Sequence, residues 1–257
     1  MYSKLLTITE AAKLLGVSAS TLRRIEKNEY IESYGLKVIY TPGGQRRYIL
    51  DEIQELFNRA GFSGKIGFGK NIAILVRDLT KAFIDKNSKL SIIYEQQVEV
   101  TKQIVELAIK KNIPTVFSKT IYDPTKFSSY LWGEKFPSLK SLEKNSIWTN
   151  IHPKLKHVNF DLNNETTYIS DFYNSPVDKF LKEREIDTIV LCGATTSGSI
   201  RATAIEGLER GYRVIIIEEA IGDRTQALQR TTLLDLNARY ADVINLNNIL
   251  EKINQLG

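Results

Sequence analysis

The stretch Gly193-Ala194-Thr195-Thr196-Ser197-Gly198-Ser199 is the part of this 257-residue sequence best suited to chemistry. It follows the apolar run TIVLC and opens onto SIRATAIEGLERG, whose pattern and closing Gly211 predict a helix. A small-residue turn between strand and helix brings backbone N–H groups towards an incoming ligand. A second candidate lies near the N-terminus, where Arg23, Arg24 and Lys27 are followed by a further basic pair, Arg46 and Arg47. Adjacent arginines grip phosphates, which adds affinity without choosing a sequence. Other chemistries have little material. The single cysteine, Cys192, excludes an internal disulfide framework and a cysteine-rich zinc site. Inside the strand IVLC it reads as a buried, inert thiol. His152 and His157 are the only histidines, too few for a histidine cage. No metal and no cofactor is expected.

Composition bounds the elements that must position these groups. Apolar residues make up 42% and charged residues 25%, the balance of a soluble globular chain. Apolar runs are too short to cross a bilayer, and no secretory leader is read after Met1, so a cytoplasmic protein without a membrane partner is expected. The net charge is +5, and residues 1–66 hold ten basic against seven acidic residues, so a quarter of the length carries more than half of the excess. That surplus carries meaning only if it lies on one surface.

Residues 60–70, AGFSGKIGFGK, contain four glycines and divide the chain. The reading is a domain over 1–62, a linker over 63–70 and a domain over 71–257. Downstream, Asn71–Val76, Pro114–Ser118, Thr188–Leu191, Tyr212–Ile217 and Asp242–Leu246 read as short apolar strands. Tyr94–Lys110, Ser199–Arg210, Thr225–Tyr240 and Asn247–Leu256 read as helices. Strands alternating with amphipathic helices predict an α/β fold in three layers, α/β/α, with a mostly parallel sheet.

Upstream, Thr9 is expected to cap a helix closed at Gly16. Ser18 is expected to cap a second helix, Ala19–Asn28, with Leu22 and Ile25 on its apolar side. Two short helices joined by a tight turn make a helix-turn-helix, whose second helix can enter a major groove. LKVIY, the turn TPGG and QRRY then read as a hairpin wing. A small helical protein-interaction domain is the alternative. TITEAAKLLGVSASTLRRIEKNEYI followed by TPGGQRRYILDEI resembles the winged helix-turn-helix of MerR-type regulators over roughly residues 5–57. The resemblance implies that Ser20, Thr21, Arg23, Arg24 and Lys27 face double-stranded operator DNA, with Arg46, Arg47 and Tyr48 touching its backbone from the wing. The long dimerising helix usual in that family does not follow, so assembly into a homodimer or homotetramer is expected from the larger domain.

LCGATTSGSIRATAIEGLERGYRVIIIEEAIGDR, with NIAILVRDLTKAF upstream and ADVINLNNILEKI at the end, resembles the isochorismatase-like cysteine hydrolases, most closely their N-carbamoylsarcosine amidohydrolase branch. Active members use an aspartate base, a lysine and a cysteine nucleophile. The resemblance puts the aspartate at Asp78, the lysine position at Thr166 in DLNNETTYISDF, and the nucleophile position at Ser199. Two of the three groups are missing. It further implies a cis peptide between Ala194 and Thr195. Lys119, in VFSKT, could approach from another strand, at a position that differs from the family's. Some relatives hold a metal through a histidine cluster after the first strand, but no histidine occurs between Asp78 and Lys119.

A DNA reader joined to a domain stripped of catalytic groups is expected to be a regulator sensing a small amide- or carboxylate-bearing metabolite. Asp78, Phe83, Thr166, Ala194, Thr195, Thr196, Ser199 and Arg201 are the expected pocket lining, with a surface or interface ion pair as the alternative for Arg201. An amidohydrolase using Ser199 and carrying a DNA-binding appendage is the competing reading; an oligomeric DNA-binding scaffold without ligand is the third.

Overall fold

A computed structural model of the chain describes residues 4–15, 18–27, 38–53, 64–92 and 95–256. Gly16 and Asn28 lie outside the described residues, as do the side chains of Thr21, Arg24, Ile25 and Lys27. The small N-terminal domain comprises β1 (Leu5–Leu6), α1 (Ile8–Leu14), α2 (Ala19–Lys27), β2 (Val38–Tyr40) and β3 (Arg46–Ile49). Thr7 caps α1, two residues earlier than expected at Thr9. The reason is a reciprocal capping box: the Glu10 N–H donates to Thr7 Oγ1 at 3.2 Å, and the Thr7 N–H donates to Glu10 Oε2 at 2.7 Å. β3 pairs antiparallel with β1 and β2, and the Thr41–Gln45 turn closes the expected wing hairpin. Leu6, Ala11, Ala12, Leu14, Leu22, Tyr48 and Ile53 form the core of this domain.

The large domain is built on one six-stranded sheet, ordered β6-β5-β4-β7-β8-β9, in which every adjacent pair is parallel. The strands are β4 (Ile72–Arg77), β5 (Thr115–Thr120), β6 (Leu162–Thr166), β7 (Thr188–Ala194), β8 (Arg213–Gly222) and β9 (Asp242–Ile244). The helices are α3 (Lys81–Ile84), α4 (Glu95–Lys110), α5 (Phe127–Lys135), α6 (Val177–Lys182), α7 (Arg201–Glu209), α8 (Gln226–Arg239) and α9 (Leu246–Gln255). β4 is buried at all six positions, as a central parallel strand covered on both faces must be. One core layer packs α4 and α9 on the sheet, and the other packs α6, α7 and α8. The predicted three-layer arrangement is therefore present. β6 (LNNET) escaped the sequence reading because a polar edge strand carries no apolar run.

The chain steps outward from β4 to β5 and β6, then returns to the other side of β4 as β7. The order reverses between β4 and β7, and ligands of open parallel sheets bind at such a point, beyond the carboxyl ends of the strands. Here the two strands approach closely. A Cβ on Gly193 (φ +115°) would stand 1.9 Å from the carbonyl oxygen of Arg77, so only glycine fits.

Among the described residues, α8 joins the large domain to the small one. Leu234 of α8 packs into the small-domain core, and Thr231 Oγ1 donates to the Leu14 carbonyl at 3.4 Å. In addition, the described part of the expected linker is strapped to the large domain. The Ile66 and Gly67 N–H groups donate to the Asp242 carboxylate (3.2 and 2.6 Å), that of Gly69 to Thr188 Oγ1 (2.9 Å) and that of Lys70 to Asp187 (2.7 Å).

Candidate functional site

Three parallel strands deliver the expected residues to one edge of the sheet. Asp78 leaves β4 with φ +54°, Thr166 closes β6, and β7 runs through a cis Ala194–Thr195 peptide into a π-helical turn, Thr196–Ile200, that carries Ser199. All three are deeply covered: Asp78 is 1% exposed, Thr166 4% and Ser199 5%. Phe83, Ala194 and Thr196 are buried with them. Of four cavities of 370–510 Å³ among the described residues, none is lined by Asp78, Thr166 or Ser199.

Arg77 fills the space beside Asp78, and the sequence reading passed over it. Its guanidinium is 1% exposed. Nε donates to Asp78 Oδ2 at 2.9 Å, Nη2 to Thr120 Oγ1 at 2.9 Å and to the Tyr168 carbonyl at 3.1 Å, and Nη1 to Asp171. Asp78 also accepts from the Thr120 N–H (2.6 Å, Oδ1) and hydroxyl (2.9 Å, Oδ2). Both oxygens of the expected base are thus engaged. Two signals were available: an arginine inside the otherwise apolar NIAILVRD, and an aspartate in the centre of the Ser170-Asp171-Phe172 element.

The cluster buries one guanidinium and two carboxylates together. Burial by itself lowers the Arg77 value, but Asp78 and Asp171 outweigh it and hold the group above its ordinary range. Burial raises the Asp171 carboxyl above its ordinary value, opposed in part by Arg77 and assisted by the Asp78 charge. A raised folded value means that folding favours the proton. This contribution is complete below the ordinary aspartate value of 3.8 and is lost as pH rises through the raised value. The urea midpoint is expected to fall as pH rises through the Asp171 titration, and Asp171→Asn, which cannot ionise, removes that slope. An unchanged slope in Asp171→Asn would assign the titration elsewhere.

Several other groups are placed by the structure away from such roles. Cys192 is fully buried in β7, and burial pushes its thiol up to about 12, so it is no nucleophile. Lys119 pairs with Glu165 on the neighbouring strand at 3.0 Å. Arg201 makes the ion pair expected as its alternative, with Asp235 of α8 at 2.6 Å. One of the turn's donors is already satisfied, because the Ser197 N–H donates to the buried Asp223 carboxylate at 2.6 Å. His152 packs by Leu79 and faces Glu95 (3.4 Å), while His157 is exposed beside Glu106. No cluster of metal-ligating side chains occurs among the described residues.

Hydroxyls remain unpaired at the same edge. Thr80, Thr167 and Thr196 each bury a hydroxyl that has no hydrogen-bond partner among the described residues. They sit on the segments leaving β4, β6 and β7. A buried polar group left unpaired costs about 1–3 kcal/mol, so such groups call for water or a ligand.

In the small domain, Ser20 and Arg23 are exposed on α2. Arg46 and Arg47 point to opposite faces of β3. Arg46 lies 3.4 Å from Glu26 of α2 and 5.8 Å from the Tyr40 ring, whereas Arg47 donates locally to the Arg46 carbonyl and Gln45. Tyr48 corrects the expectation of a backbone contact. Strand alternation turns it inward, it is fully buried, and its hydroxyl donates to Glu26. Tyr48 supports the wing from within.

Residues 72–248 match the isochorismatase domain, and residues 5–61 match a helix-turn-helix domain. The chain is 27% identical over 207 residues to the N-carbamoylsarcosine amidase of an Arthrobacter species, covering 78% of each protein. It is 25% identical over 197 residues to the maleamate amidohydrolase of Pseudomonas putida, covering 75% of this chain and 91% of that one. A cysteine hydrolase from Pseudomonas syringae pv. phaseolicola shares the fold with a TM-score of 0.67 at 18% identity, over 73% of this chain and 94% of its own. N-carbamoylsarcosine amidase from Thermoplasma acidophilum does so with a TM-score of 0.59 at 23% identity, over 69% and 97%. No helix among the described residues is long and apolar enough to cross a membrane.

Proposed function

The chain belongs to the isochorismatase domain family, and from that premise we propose that it is a DNA-binding transcriptional regulator whose family domain has stopped being an enzyme. In this reading the domain forms homo-oligomers and senses a small amide- or carboxylate-bearing metabolite. The observation that carries it is the state of Asp78. Its two oxygens accept three protein donors, Ser199 stands at the nucleophile position and Thr166 at the lysine position. A hydroxyl needs a strong, free base to attack an amide, and the aspartate is spoken for. The unpaired hydroxyls of Thr80, Thr167 and Thr196 support a polar guest at this edge. Because the expected lining is buried, entry of a guest must part the segments that cover it. α8 is placed to carry that movement: Asp235 holds Arg201 beside the turn, and Leu234 and Thr231 hold α1.

The DNA-binding half rests on the helix-turn-helix match and the wing hairpin, and we assign it to the MerR type. A dimer carrying two readers sets the spacing of the half-sites, so a guest that alters subunit geometry alters operator affinity. In a gel-shift titration on a fragment of the protein's own promoter, Arg23→Ala is expected to weaken binding about ten-fold or more and to reduce the salt slope by about one. Binding unchanged in strength and salt response would remove α2 from the groove. The competing reading, a Ser199 hydrolase with a DNA-binding appendage, has one observation in its favour: among the described residues no protein group hydrogen-bonds the Ser199 hydroxyl.

A further inference from the structure

One stripe of α8 faces the small domain. Arg230, Leu233, Leu234 and Asn237 stand at i, i+3, i+4 and i+7, and all four line a cavity of about 450 Å³ in the joint between the domains. The facing wall comes from the small domain. Lys4 and Leu6 belong to the β1 segment, and Glu10 and Leu14 lie one turn apart on α1. Glu218 of β8 lines the cavity as well. Leu6 and Leu14 are part of the small core and Leu233 of the large one, so the cavity lies on the seam between the two. Its volume falls within the range of small-molecule sites, about 300–1,000 Å³. None of Asp78, Thr166 and Ser199 lines it.

We propose that this joint binds a free α-amino acid with an aliphatic side chain. The lining charges select it. Glu10 Oε2 accepts the Thr7 N–H at 2.7 Å and the Thr7 hydroxyl at 2.8 Å, and those bonds, with the Lys4 charge, hold its carboxyl below the ordinary value. Glu10 therefore stays ionised and balances Lys4. Arg230 and Glu218 remain. They are opposite in sign and line one cavity, yet neither makes an ion pair among the described residues. Asn237 Oδ1 accepts the Val243 N–H at 2.9 Å, which leaves its NH2 group as a donor. A carboxylate suits Arg230 and that amide, an ammonium suits Glu218, and an aliphatic body suits the leucines of both domains. A bare carboxylate would leave Glu218 unmatched, and a bare amine would leave Arg230. A guest that touches α1 and α8 together binds best when the two are held in this arrangement, so it fixes the heading of the DNA reader. Only that last consequence rests on the regulator reading; the site itself goes beyond it.

Calorimetric titration of the full chain with alanine, valine, leucine and methionine tests the site without DNA. Saturable binding of at least one is expected, and removing either its amino group or its carboxylate weakens it about ten-fold or more. For leucine these analogues are 4-methylpentanoate and 3-methylbutylamine. Arg230→Ala and Glu218→Gln each weaken the amino acid by a similar factor, and because both side chains are exposed, thermal melting is unchanged. Hydrogen exchange slows in α1 and α8 when the amino acid is added. No saturation by any of the four at millimolar concentration overturns the proposal. So does a deaminated analogue that binds as tightly as its parent, a pair of variants that bind like the wild type, or protection confined to the turn after β7. Failure of the DNA reading would appear separately, as Arg23→Ala binding promoter DNA like the wild type.

Discussion

Arg77→Leu is expected to lower the free energy of unfolding by about 3–5 kcal/mol, because it leaves two buried carboxylates without their counter-charge. Asp78 and Asp171 are each buried to within 1% of full coverage, and the same guanidinium donates to both. It also donates to Thr120 and to the Tyr168 carbonyl, tying β4 to β5 and to the segment beyond β6. Adding Asp171→Asn to Arg77→Leu should recover part of the loss, since one of the stranded charges disappears. Urea denaturation at neutral pH measures both. A loss below about 1 kcal/mol, the scale of an exposed pair, would mean that solvent reaches the cluster and that Arg77 is no plug.

The second expectation concerns rate. Ammonia release from small amides and N-carbamoyl compounds should stay at background for the wild type, against accelerations of at least about 10⁶-fold for working enzymes. Restoring the two missing side chains as Thr166→Lys with Ser199→Cys should still give nothing. Thr166 pairs with Thr120 across β5 and β6, and Thr120 touches both Asp78 and Arg77. A lysine at 166 would extend towards a carboxylate that already holds a guanidinium, and two cations would compete for one place. Adding Arg77→Val and Asp171→Ala should be the step at which turnover first appears. Wild-type turnover abolished by Ser199→Ala would end the pseudoenzyme reading. Activity in the Thr166→Lys, Ser199→Cys pair alone would show that Arg77 obstructs nothing.

Much of this architecture was legible because parallel strands buried on both faces announce themselves: IAILVR, TIVLCGA and RVIII are apolar runs that only a covered sheet accommodates. The turn after β7 was legible from its small residues, and the wing from Pro42-Gly43-Gly44. β6 and α5 were not, for opposite reasons. A polar edge strand needs no apolar pattern, and α5 inverts the usual one by putting Ser129 and Gly133 inside. The candidate site was half legible. The gathering of Asp78, Thr166 and Ser199 at one sheet edge could be read from position, whereas the bond from Arg77 to Asp171 spans 94 residues and belongs to no local pattern. Thr7 was a recognisable cap, since Glu10 stands three residues on, but Thr9 heads the same apolar periodicity and competed with it.

The anchoring of residues 64–70 bears on how such a chain could arise or be re-engineered. Four backbone donors in seven residues are committed to Asp187, Thr188 and Asp242, which belong to the large domain's own strand entrances. Together with the hold of Leu234 and Thr231 on the small domain, this makes the DNA reader something other than a freely exchangeable module. Grafted onto a foreign sensor that lacks those acceptors, it would keep its fold but lose its heading, and with it the phase between paired operator half-turns.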